Sequence, residues 1–311
     1  MSADRWQVTV TQPDRLGESP FWHPLERMLY WVDIPARQLR RSDAAGGGVE
    51  SWAMPTEPGC IAPAASGGMV IALRDGIYRA RDWGSTLTLI ARFDHDVSTT
   101  RFNDGKADPA GRMWAGTMYE PRDARRAALY SIDCRPGNGA GGKPVVQRKA
   151  DDATIANGLA WSPDGKTVYW SDTQSHTIRA WDWDADSNAM RNERLFKQFP
   201  PKPAGWQPGD SGYGGRPDGA SVDSQGNYWC AMYEGGRVLQ LSPEGDVLQE
   251  IAVPAMCPTM PCFGGDDWKT LYVTTARDKR PATELEQFAA SGCVLSTRVE
   301  VAGLPVNFFD D

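Results

Sequence analysis

Ser162-Pro-Asp-Gly-Lys-Thr-Val-Tyr-Trp-Ser-Asp172 sets a turn rich in Pro, Asp and Gly directly before a run of β-branched and aromatic residues. Gly accepts positive φ, and Asp bonds its own backbone, while Val, Tyr and Trp suit a pleated, half-buried surface, so the segment reads as a hairpin turn and the strand that leaves it. The same phrase occurs five more times. Before it stand His23-Pro-Leu-Glu-Arg-Met-Leu-Tyr-Trp-Val-Asp33, Ala65-Ser-Gly-Gly-Met-Val-Ile-Ala-Leu73 and Asp108-Pro-Ala-Gly-Arg-Met-Trp-Ala-Gly116; after it come Asp223-Ser-Gln-Gly-Asn-Tyr-Trp-Cys-Ala231 and Gly265-Asp-Asp-Trp-Lys-Thr-Leu-Tyr-Val-Thr274. Their spacing of roughly 40 to 60 residues brackets the length of a four-stranded propeller blade. Six hairpins predict an all-β, six-bladed β-propeller, with residues 1–311 as a single domain. The two widest intervals hold residues 135–142 and 200–215, whose Gly, Pro and polar content predicts surface loops. The first strand, Gln7-Val-Thr-Val-Thr11, is expected to close the ring by pairing with C-terminal strands around Arg298 to Ala302, which would remove exposed sheet edges.

Composition agrees with this reading and narrows the partners. Thirteen Trp, 32 Gly and 23 Pro, without sustained helical periodicity, describe many short strands and tight turns. A net charge of -7 with dispersed Lys and Arg argues against nucleic acid, whose binders concentrate basic residues into a patch. The N-terminal residues lack the apolar core of a secretory signal, and no stretch of about 18 apolar residues occurs, so a cytoplasmic protein with no membrane partner is expected, as a monomer or weak homo-oligomer. The six cysteines are dispersed through a chain large enough to build its own core, which predicts free thiols, with Cys257 and Cys262 as packing residues.

In a propeller the innermost strands line a central channel, so residues at equal phase in the repeat converge there. Five residues before each turn stand Glu18, Asn103, Asn157 and Asp218; in the other two repeats the region is Gly59-Cys60 and Thr259-Met260. Taken singly, Asn-Asp-Gly, Asn-Gly and Asp-Gly are ordinary turn sequences. Four unrelated turns, however, have no reason to share an offset. Two carboxylates and an amide oxygen on one axis repel unless a cation sits among them, and oxygen ligands favour calcium, magnesium or manganese, leaving zinc and Fe(II) open. Three ligands leave positions for water and substrate. His23, His95 and His176 occupy no triad or zincin context, and His23 is expected to pack or cap its turn. Arg101, two residues before Asn103, shares its side of the strand and suits a polyhydroxylated ligand.

The segments Leu16-Gly-Glu-Ser-Pro-Phe-Trp22, Arg101-Phe-Asn-Asp-Gly-Lys-Ala-Asp-Pro-Ala-Gly-Arg112, Ile155-Ala-Asn-Gly-Leu-Ala-Trp-Ser162, Pro217-Asp-Gly219 and Cys262-Phe-Gly-Gly-Asp-Asp-Trp268 resemble, in this order, the SMP-30/gluconolactonase/luciferin-regenerating-enzyme family. The resemblance implies a six-bladed propeller whose divalent metal is held by Glu18, Asn157 and Asp218, with Asp218 also the general base and Arg101 and Asn103 binding substrate. Its vertebrate pattern has two consecutive acids reaching substrate after Gly-Thr-Met; here the run is Tyr119-Glu120-Pro121, leaving Glu120 alone for that contact. The activity implied is hydrolysis of a sugar lactone such as glucono-, xylono-, arabino- or galactonolactone. Two other readings keep the fold: a metal-dependent esterase or organophosphatase, and a non-catalytic propeller binding a protein at its rim.

Overall fold

All six recurring phrases fall in the turn between the first and second strands of a four-stranded antiparallel sheet, and six such sheets form the ring. The computed structural model describes residues 5–137, 139 and 142–311. Residues 1–4, where the absence of a secretory signal was read, and Asn138, Ala140 and Gly141 of the 135–142 stretch lie outside the described residues. The inner strands are Gly17–His23, Pro58–Pro63, Thr100–Ala107, Ala156–Trp161, Arg216–Val222 and Pro258–Gly264, here numbered as blades one to six.

The turns are held by their own side chains. Asp223 Oδ1 accepts from the backbone N–H of Gln225 and Asn227, and its Oδ2 accepts from Trp229 Nε1 at 2.9 Å. Asp108 repeats the pattern with Ala110, Arg112 and Trp114 Nε1. One carboxylate thus fixes the turn and orients the aromatic residue six positions on, satisfying an indole N–H that burial would otherwise strand. In blade four Ser162 Oγ takes over the turn, accepting from Thr167 N.

Burial falls from the hub outward. Inner strands such as Ala156–Trp161 are wholly buried, whereas outer strands such as Glu50–Ala53 and Ala189–Gln198 are mostly exposed. Between neighbouring blades lie apolar clusters, each fed by two sheets: Trp114, Trp161 and Trp183 meet edge-on between blades three and four, and Trp22, Leu29, Tyr272 and Val294 fill the junction of blades six and one. Each fully buried large apolar side chain contributes about 1.5–3 kcal/mol, so the ring is held chiefly by sheet faces pressed together.

Blade six is built from both chain ends. Its outer strand, Gln7–Val10, pairs with Val294–Arg298, with Gln7 opposite Ser296 and Val10 opposite Val294. The partner residues lie upstream of the expected span 298–302. Val294 and Leu295 are fully buried and supply the apolar contact, while the chain beyond Arg298 leaves the sheet: Val299 N bonds Lys269 O and Gly303 bridges to Asp223. The segment that follows crosses one end of the hub and is anchored by Phe309, fully buried between blades two and three. A short helix, Ala282–Gln287, precedes the last strand. Among the described residues no helix is long and apolar enough to cross a membrane. All six cysteines are free thiols; burial pushes Cys257 and Cys262 up to about 12.

Candidate active site at the hub

In every inner strand one level carries a residue more than its partner strand. The bulge lies between Glu18 and Phe21, Phe102 and Gly105, Asn157 and Ala160, and Pro217 and Ala220, and in blades two and six between Pro58 and Cys60 and between Pro258 and Met260. An extra residue bends the strand and re-aims its side chains. Blade two offers no side chain here because a Cβ on Gly59 would meet the Phe102 carbonyl carbon at 2.4 Å, and Thr259 of blade six spends its hydroxyl on Gly17 O. Gly158 holds φ 63° where a Cβ would lie 2.3 Å from the Tyr228 hydroxyl, which fixes Asn157 at the start of its bulge.

The four remaining blades deliver Glu18, Asn103, Asn157 and Asp218 to one cavity of about 110 Å³, with Arg101 on its wall. All five are buried. Burial raises Glu18 well above the ordinary carboxylate range, and the charges of Asp218 and Asp104 push it further. Burial likewise pushes Asp218 up to about 8, with Asp104 adding to it against the pull of Arg216 and Arg101. Glu18 Oε2 accepts from Ser19 N at 2.9 Å, whereas among the described residues neither oxygen of Asp218 receives a hydrogen bond.

The amides are oriented by a chain whose two ends have fixed polarity. Arg101 can only donate, so Asn103 turns Oδ1 toward it at 2.8 Å and donates through Nδ2 to Ala156 O and Asn157 Oδ1, each at 2.9 Å. Asn157 Nδ2 then donates to Thr173 Oγ1 at 2.7 Å, and that hydroxyl donates to Pro217 O, which can only accept. Asn157 Oδ1 is thereby aimed and keeps one lone pair uncommitted. Two buried carboxylates, one bare of donors, beside an aimed carboxamide oxygen form a donor set that fits a hard divalent cation. Among the described residues no group of three His, Cys, Asp or Glu side chains is placed to hold an ion.

Other expected residues sit differently. Glu120 does not line the cavity: Arg74, from blade two, takes its Oε2 at 2.8 Å, and its Oε1 stands 3.7 Å from Arg101 Nε. Glu120 thus stands beside Arg101, in an ion pair with Arg74. Asn103, both of whose N–H donors are used inside the protein, has only Oδ1 left to offer. His23 caps its turn, with Nδ1 accepting from Glu26 N, His95 lies against Arg74 O and His176 against Tyr213; none lines the cavity. Arg122, Thr173, Arg216 and Tyr233 also line it and were not singled out from sequence. Arg216 directly precedes Pro217-Asp218, a proximity that could have flagged it; Arg122 carries no local signal.

Fold and site together define a six-bladed β-propeller with a polar hub centre that closes one end of the channel in carboxylate and amide oxygens. The chain belongs to the SMP-30/Gluconolactonase/LRE-like family, whose model matches residues 16–277. It is 42% identical to a 6-deoxy-6-sulfogluconolactonase of Pseudomonas putida over 96% of each chain, and 36% identical to regucalcin of Gallus gallus over 98% of each. Among solved structures it resembles a calcium-binding protein, regucalcin, from Agrobacterium tumefaciens, with a TM-score of 0.86 and 26% identity over 97% of this chain and 96% of the other.

Proposed function

We propose that the hub site hydrolyses a sugar lactone to the corresponding aldonic acid with one divalent ion held by Glu18, Asn157 and Asp218. The chain is a hydrolase of cyclic carboxylic esters. The observation that carries the reading is the pairing of two buried carboxylates with an aimed amide oxygen in a cavity open to small molecules. The lactonase name of the Pseudomonas relative and the calcium-binding description of the Agrobacterium one support substrate and ion respectively. Such an ion, when bound, would supply Lewis-acid polarisation of the ester carbonyl.

The chain's own residues do the rest. Asp218, with no hydrogen bond on either oxygen, accepts the proton of the attacking water. Arg101 reaches a ring hydroxyl through the part of its guanidinium not spent on Asn103 and Phe102 O, so that the ester is presented in one orientation. Asn103 and Thr173 hold Asn157 in place. Cavity walls from Met118, Ile155 and Tyr233 limit the water that shares the site. The test is a pH-indicator assay over pentono- and hexonolactones, using chelated protein and protein with calcium, magnesium, manganese or zinc restored. Turnover that appears with one ion and vanishes in Asp218→Asn is expected; full turnover by the chelated variant would overturn the reading.

A further inference from the structure

Two guanidinium groups on the cavity wall touch neither the ester nor the ion in the chemistry just described, although the charge of Arg216 acts on Asp218. Arg122 follows the strand Met113–Tyr119 in a turn where its φ is 62°, an uncommon conformation for a residue with a side chain. Its N–H bonds Tyr119 O, but among the described residues its guanidinium makes no hydrogen bond and no ion pair. Arg216 stands in blade five and lines the same cavity. Its Nη2 lies 3.1 Å from Glu234 Oε2, yet that carboxylate is also held by Lys202 and Arg280, the latter at 2.9 Å, so one acid is divided among three cations. Arg216 Nε is buried and unpartnered. Partial burial lowers Arg122 below the usual arginine range, and the charge of Arg216 lowers it further. Glu120, a second acid near Arg122, is paired with Arg74.

We propose that Arg122 and Arg216 form a subsite for an oxyanion carried by the substrate away from its ester, so that the preferred lactones bear a carboxylate, sulfonate or phosphate. Glu18 and Asp218 share this cavity with three guanidinium groups, and with a divalent ion on the carboxylates the site carries an excess of positive charge; Arg122, with every guanidinium donor uncommitted, offers a fork that matches the oxygens of an anion. The inference deepens the lactonase reading and rests on it for the ester end only. Hydrogen bonds to charged groups of this kind correspond to about 10- to 100-fold in affinity.

The experiment compares glucono-1,5-lactone with its 6-phospho and 6-sulfo counterparts and with a glucarolactone, for the wild-type protein, Arg122→Gln and Arg122→Glu. Alongside, calorimetry measures binding of 6-phosphogluconate and gluconate to the same proteins, which needs no turnover. The expected result is at least tenfold higher kcat/KM for one or more charged lactones than for the neutral one, a preference that shrinks at least tenfold in Arg122→Gln and inverts in Arg122→Glu, with the arms showing which oxyanion is taken. In calorimetry 6-phosphogluconate or its sulfo analogue should bind at least tenfold more tightly than gluconate, and Arg122→Gln should erase the difference. Hydrolysis of the neutral lactone without any charged preference would overturn the subsite and leave the lactonase reading standing. Absence of all hydrolysis would end the lactonase reading, and the binding comparison would still decide the subsite.

Discussion

Replacing Thr173 by Val should separate the aiming of Asn157 from every other property of the hub. Valine has nearly the shape of threonine, but the change deletes two buried hydrogen bonds of 2.7 Å, from Asn157 Nδ2 and to Pro217 O. Each stranded partner costs about 1–3 kcal/mol, so a stability loss of about 2–6 kcal/mol is expected. Asn157 is then held on one side only, by Asn103. Loss of an outer support of this kind typically weakens a metal site 10- to 100-fold, or about 1.4–2.7 kcal/mol. Urea unfolding of chelated protein reads the first quantity and calorimetric titration with calcium or manganese the second. Thr173→Ser, which keeps the hydroxyl, should restore both. A Val variant that loses stability while binding the ion as tightly as wild type would refute the claim that the relay from Arg101 to Pro217 positions a ligand.

Three further outcomes follow from contacts elsewhere in the ring. Asp218→Asn should abolish most turnover yet stabilise the chelated protein by about 1–4 kcal/mol, since it removes a buried charge that Glu18 and Asp104 oppose; thermal unfolding with and without ion checks it, and a destabilised chelated variant would count against mutual repulsion. Burial favours the neutral form of Glu234, but Arg216, Lys202 and Arg280 outweigh it and hold the carboxyl below its ordinary value of 4.5. Its contribution is therefore complete above that pH and is lost as the pH falls through the lowered value, so the stability gap between wild type and Glu234→Gln should be constant near neutrality and close in acid. Asp223→Ala leaves Trp229, Asn227 and Gln240 without an acceptor and should cost about 3–5 kcal/mol in urea unfolding, whereas Ser162→Ala in the equivalent turn of blade four should cost about 1 kcal/mol.

The hairpins were legible because their information is local: a Pro, Asp or Gly turn and the aromatic strand after it lie within a dozen residues. Equal phase then brought Glu18, Asn103, Asn157 and Asp218 to one level, since a propeller converts sequence offset into height along its axis. The bulges that aim these side chains were hidden, because an extra residue is defined only against the partner strand. The ion pair of Glu120 was hidden for a related reason: its partner, Arg74, belongs to another blade and lies 46 residues away in the chain. Arg122 and Arg216 come together only at the hub cavity, from blades three and five, and no spacing rule announces them. The shift of the closing pair from 298–302 to Val294–Ser296 goes with fully buried Val294 and Leu295 in the sheet, while the chain from Val299 turns aside to Lys269 and Asp223.

Gln7 faces Ser296 across the outermost ladder of blade six, so this strand waits for a companion that lies far downstream in the chain. Until residue 298 emerges, blade one has no neighbour on one flank and five finished sheets stand as an open crescent with two bare flanks. Joining ends so distant in sequence is slow, and exposed sheet borders invite foreign pairing meanwhile. The latch that completes blade six thus also sets the moment at which the chain is most vulnerable to aggregation.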